Sequence, residues 1–169
     1  MIKVITAIVC SFAAMVMIIL SLATTYWLQW VIISGNQNIT HYRGLFYHCY
    51  EARDNITDEL IQDGCEGDYL DVKADWNAAT IALMIIGLIC HLFAFVFTIV
   101  TTACRKGHPF PSFFIGGLFV AAAIAVIIAL LVYTFHNWQS DVFFSWSYGG
   151  GWSTVALSII AFVLIMADR

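Results

Sequence analysis

The sequence predicts a membrane protein, mainly α, in which a four-helix transmembrane bundle carries a small antiparallel β-sheet outside the membrane. Three observations predict this. The chain has 169 residues, 62% of them hydrophobic and only 11% charged, against about 25% charged in ordinary soluble domains. None of its 18 Asp, Glu, Lys and Arg residues falls in 4–42, 76–104, 107–140 or 142–167. A soluble surface needs charge throughout, so runs of this kind are solvated by lipid. Finally, 12 of the 18 charges sit in one block, Arg43–Asp75, between the first two apolar runs. Several functions are excluded at once. Seven Lys and Arg, dispersed, make no basic patch for nucleic acid. The hydrophobicity excludes a disordered linker, and Arg43–Asp75 is too short to be a soluble catalytic domain.

A helix rises about 1.5 Å per residue, so about 20 apolar residues cross a bilayer core. Spans are expected at about 4–24, 78–102, 113–135 and 149–166 of a single domain covering 1–169. Each is helical because lipid forces the backbone to satisfy its own hydrogen bonds. The first span is longer than a signal-peptide core, and the bulky Thr25-Tyr26-Trp27 follows it where a cleavage site would need small residues.

Four spans put both termini on one side, together with Lys3, Arg105, Lys106 and Arg169. The positive-inside bias makes that side cytoplasmic. The loops at about 25–77 and 136–148 are then extracellular, and Arg43–Asp75 carries nine acids against three bases. The sequons Asn38-Ile39-Thr40 and Asn55-Ile56-Thr57 both lie in the first of these loops, which makes Asn38 and Asn55 candidate glycosylation sites. The six tryptophans (27, 30, 76, 138, 146 and 152) cluster at the outer ends of the spans as an aromatic belt. The expected location is the plasma membrane, including cell–cell junctions.

Cysteine usage follows compartment. Cys49 and Cys65 alone lie outside, where oxidation favours a disulfide. It would stabilise the loop by about 3 kcal/mol in the chain-entropy model. Cys10 and Cys90 lie within spans and read as packing residues. Cys104 abuts Arg105-Lys106 and is either an unmodified interfacial thiol or a site of S-palmitoylation.

The extracellular strands are expected at Trp27–Ile33, Tyr42–Tyr50, Leu60–Cys65 and Phe143–Tyr148, from their aromatic and β-branched content and the turn signal Gly35-Asn36. A disulfide would clamp a sheet too small to build its own core.

Trp27, then Gly44-Leu45-Phe46, then Cys49 and Cys65 resemble the W–GLW–C–C first-loop signature of claudins. Trp76-Asn77 entering the second span, and Phe144–Tyr148 with Gly151-Trp152 entering the fourth, resemble the branch that holds peripheral myelin protein, the epithelial membrane proteins and lens fibre membrane protein. The resemblance covers nearly the whole chain. It implies a left-handed four-helix bundle with an extracellular sheet, and members that form lateral or cell-to-cell contacts or serve as accessory channel subunits. Phe46 departs from the triplet, and Thr80 stands where many claudins have arginine. The second loop is short for a claudin, and the Cys49–Cys65 spacing is long.

Other features are weighed against plainer roles. Asp54, Asp58, Glu59, Asp63, Glu66, Asp68, Asp71 and Asp75 form a candidate acidic contact surface or a merely solvated loop. Gly117, Ala121, Ala125 and Ala129 recur every fourth residue, a candidate helix-packing face within the bundle or between copies. His91, mid-span, has no acidic partner in another span and reads as a neutral hydrogen-bonded core residue. His41 and His48 lie an odd number of positions apart, so on one regular strand they would face opposite ways and could not share a zinc ion. No metal site, cofactor, small-molecule substrate or enzymatic activity is expected. The leading reading is a structural protein of cell contact, junction or membrane organisation. The alternative is an auxiliary subunit of an ion channel or receptor. Expected partners are the lipid bilayer and either lateral copies of the chain or a membrane protein.

Overall fold

The computed structural model describes residues 2–67, 75–103, 111–138 and 142–167. Helix α1 (Ile2–Ala23) leads into strands β1 (Leu28–Ser34), β2 (Gln37–Arg43), β3 (Tyr47–Asp54) and β4 (Leu60–Gly67). Helices α2 (Asp75–Ala103) and α3 (Ser112–Asn137), the short strand β5 (Phe143–Phe144) and helix α4 (Trp146–Met166) follow. All four helices are long and apolar enough to cross a membrane. Their outward faces are apolar too, for example Val9, Phe12, Ile86, Phe93, Ile124 and Ile160. In lipid such faces need no further cover.

Helix α1 packs on α4 and α2, and α3 packs on the other sides of α2 and α4. The core divides along the bundle axis. At the sheet end Ile18, Trp27, Leu45, Met84, Val126, Leu130 and Tyr133 form one cluster, and at the far end Ala7, Ala94, Ile115, Phe119, Ala161 and Ile165 form another. His91 is fully buried, with Nε2 2.8 Å from Ser158 Oγ and its ring edge-on to Phe119. At the far end Lys3 Nζ donates to the Ala167 carbonyl at 2.9 Å.

The sheet is antiparallel in the order β4-β3-β2-β1-β5. Gly35 at φ +61° makes the β1–β2 turn, a conformation that costs an L side chain. Two strand expectations are corrected. Tyr42–Tyr50 is not one strand: the chain reverses at Gly44-Leu45-Phe46, and Gly44 N donates to Tyr47 O at 2.8 Å. Phe143–Tyr148 is strand only over Phe143–Phe144, and α4 already begins at Trp146. The first turn of a helix leaves N–H groups without intrahelical acceptors. Here Ser147 N finds the Tyr26 carbonyl at 3.1 Å, which favours helix over strand for this aromatic run.

Candidate contact surface and its seat on the bundle

The sheet has to be held at a fixed angle before it can present a surface, and the signature residues do the holding. Trp27 is fully buried. Its indole Nε1 donates to the Ser21 carbonyl at the end of α1, 2.5 Å away, and its ring lies 4.7 Å from that of Tyr133 on α3. Its backbone bonds both loops, donating to Arg43 O and accepting from Ser145 N, each at 3.0 Å. Leu45 is buried in the same cluster, and its carbonyl accepts from Asn77 Nδ2 on α2 at 3.0 Å. Trp76 stacks on His136 and carries the Arg43 guanidinium 5.6 Å above its ring. Phe46 remains 37% exposed, so the departure from the triplet falls at its least buried position. Sequence reasoning missed the polar layer beneath. Ser21 Oγ donates to Ser147 O at 2.7 Å, and Thr24 Oγ1 lies 2.6 Å from Ser147 Oγ. The signal was there: hydroxyls at the end of an apolar span, close to a tryptophan that needs an acceptor.

Cys49 and Cys65 are directly opposed in the β3–β4 register and are disulfide-bonded, with Cα atoms 4.0 Å apart. Beyond the bridge the sheet ends in two turns joined by a bond from Asn55 N to Asn36 O at 2.9 Å. This free end exposes Ile33, Ile56, Leu60 and Ile61, at 71%, 80%, 53% and 50%. The two sequon asparagines meet here, Asn38 Nδ2 donating to Asn55 Oδ1 at 2.6 Å.

Among the described residues the acidic side chains occupy several different settings. Asp54 is a turn cap, because Oδ1 accepts from Ile56 N at 2.8 Å and Thr57 N at 3.1 Å. These two backbone bonds lower its pKa. Its contribution to the turn is therefore present above the ordinary carboxylate value and lost as pH falls through the lowered one. Asp54→Ala is expected to speed hydrogen exchange at the Ile56 and Thr57 amides while leaving β1 unchanged. Asp58 lies 3.8 Å from Arg53. Glu59 is exposed just before β4, Asp63 and Glu66 are exposed along it, and Asp75 is exposed at the start of α2. Asp68, Asp71 and Cys104 lie outside the described residues.

The small-residue stripe is also split. Ala125 and Ala129 are buried in the bundle, whereas Gly117 and Ala121 are exposed. Four residues turn an α-helix by about 400°, so a repeat of four drifts about 40° per step and leaves one face over three steps.

His41 and His48 require the clearest correction. The reversal at Gly44–Phe46 puts them on neighbouring strands, on the same face, with His41 Nδ1 3.1 Å from His48 Nε2. An odd spacing separates two side chains only along one continuous strand, and a reversal between them removes that separation. Among the described residues no three His, Cys, Asp or Glu side chains are grouped as metal ligands.

Comparison with known proteins agrees with this architecture. The profile of the PMP-22/EMP/MP20/Claudin family matches residues 1–166. The chain is similar to a p53 apoptosis effector related to PMP-22 from Danio rerio, 30% identical over 125 residues, which are 71% of this chain and 61% of that protein. It is also similar to the Homo sapiens lens fiber membrane intrinsic protein, 26% identical over 93% of this chain and 86% of the relative. Claudin domain-containing protein 2 of Homo sapiens is 44% identical over 57 residues, 32% of this chain and 30% of that protein.

Proposed function

The chain belongs to the PMP-22/EMP/MP20/Claudin family, and from that premise we propose that it organises contacts between membranes or between neighbouring membrane proteins through its sheet. Family members are structural membrane proteins rather than enzymes, and the family oligomerises in bilayers. In this reading the chain resides in the plasma membrane with both termini cytoplasmic, the sheet extracellular, and Asn38 and Asn55 available for glycosylation. The observation that carries the reading is the rigidly seated sheet, whose free end exposes Ile33, Ile56, Leu60 and Ile61 to water. Apolar side chains grouped at the end of a braced element are suited to contact, since covering them removes apolar area from water.

Enrichment at the contacts between confluent cells is the expected result. Ile33→Asp combined with Ile61→Asp should lower that enrichment several-fold without lowering total surface protein. A uniform distribution, with paracellular resistance unchanged on deletion, would refute the proposal. Affinity purification in mild detergent decides the molecular setting. Self-associated material supports contact between copies, whereas a stoichiometric channel would replace this reading with that of an accessory subunit.

A further inference from the structure

One face of the sheet carries a stack that the contact function does not use. Trp30 on β1, His41 on β2 and His48 on β3 lie with ring centroids 5.1 Å (Trp30–His41), 5.5 Å (Trp30–His48) and 5.2 Å (His41–His48) apart, and interplanar angles of 10°, 16° and 22°. Trp30 also packs against the core cluster at the sheet end, which couples the stack to the bundle. The 3.1 Å contact between His41 Nδ1 and His48 Nε2 needs one proton between two nitrogens. A second proton would set two positive charges against each other at hydrogen-bond distance.

We propose that Trp30, His41 and His48 form a proton-binding stack that loosens β1–β3 when the medium bathing the sheet becomes mildly acidic. The other charged or titratable groups of this face are placed by register. Arg43 and Glu66 lie opposite His48, Tyr50 lies opposite His41, Asp54 lies farther along β3 opposite Gln37, and β1 contributes none. Arg43 disfavours added positive charge, while Glu66 on β4 is exposed to solvent and screening. Burial, and then the charge of His48, hold the His41 pKa below the ordinary histidine value. The folded sheet thus binds fewer protons than the unfolded chain. The stability it gains by keeping His41 neutral is present above about pH 6.5 and is lost as pH falls from there through the folded value. The inference is independent of which partner the sheet meets.

The test uses the full chain in lipid nanodiscs, titrated from about pH 7.5 to 5 across the histidine range. An imidazolium against an indole quenches its fluorescence, so emission should fall with a midpoint below the ordinary histidine value. Trp30→Phe should remove most of that change, and His41→Gln with His48→Gln should abolish it. His136→Gln, beside Trp76, should leave it intact. His48→Gln alone keeps a ring on Trp30 and should move the midpoint upward, because the like charge is gone. Amide exchange across β1–β3, corrected for its intrinsic pH dependence, should rise at least tenfold at the acid end. An acid transition that survives unchanged in the double variant, a midpoint unmoved by His48→Gln, or unchanged exchange would each overturn the proposal.

Discussion

Trp27→Ala is expected to cost about 3–5 kcal/mol, the range for removing a large aromatic side chain from a packed interior. The indole is fully buried between the end of α1, the loop before α4 and Tyr133 of α3. Alanine would leave a cavity where the sheet meets the bundle. Trp27→Phe separates the two contributions. It keeps most of the volume but removes the Nε1 donor to the buried Ser21 carbonyl, a loss of about 1–3 kcal/mol for an acceptor left unmet. Thermal unfolding in a constant detergent, together with the fraction of protein reaching the cell surface, orders the three proteins as wild type, Phe, Ala. The Cys49–Cys65 bridge lies at the β3–β4 side of the sheet, so it should still form in the alanine variant. Wild-type stability in Trp27→Ala would mean that the sheet is not seated through this residue.

Much of the fold was legible because its causes are local in sequence. Charge-free runs mark what lipid solvates, and a helix lets each run satisfy its backbone within itself. The disulfide was legible because the loop between the first two spans holds two cysteines, and these are the bonded pair. What escaped was set by contacts distant in sequence. Tyr42–Tyr50 keeps a strand-like composition through Gly44-Leu45-Phe46, and nothing local reveals that this glycine abuts the end of α1. The same reversal decides the histidines: an odd spacing puts His41 and His48 on opposite faces of one continuous strand, but a turn between them brings both to one face, against Trp30. The aromatic run before α4 likewise reads as strand until its first N–H groups are seen to meet the backbone of the first loop. The seat of the sheet was visible as a list of signature residues, but its mechanism was not. The hydroxyls of Ser21, Thr24 and Ser147 that complete it are individually unremarkable in sequence.

The same glycine supplies the second large effect. A Cβ on Gly44 would sit 2.6 Å from the Thr24 carbonyl oxygen and 2.7 Å from Thr25 Cα. Both are backbone atoms, so no rotamer change relieves the clash, and either the β2–β3 reversal or the end of α1 must shift. Overpacking of this kind costs about 1–3 kcal/mol where side chains can yield and more where they cannot, so Gly44→Ala belongs at or above the upper end. Its consequence differs from that of Trp27→Ala. Displacing the reversal moves Leu45 out of the core and pulls its carbonyl from Asn77 Nδ2, while the bundle below keeps its own contacts. The expected phenotype is therefore a sheet that exchanges amide hydrogens rapidly across β2–β3 on helices that remain protected. Gly117→Ala is the matched control. A Cβ there meets nothing within 4 Å, and the position lies inside α3. Alanine is the better helix former by about 0.5–1 kcal/mol, so that variant should be neutral or slightly stabilised. Equal behaviour of the two alanine variants would show that the close approach at Gly44 does not constrain the sheet. A selective loss of β2–β3 protection in Gly44→Ala alone would assign this glycine the task of letting the sheet come down onto the end of α1.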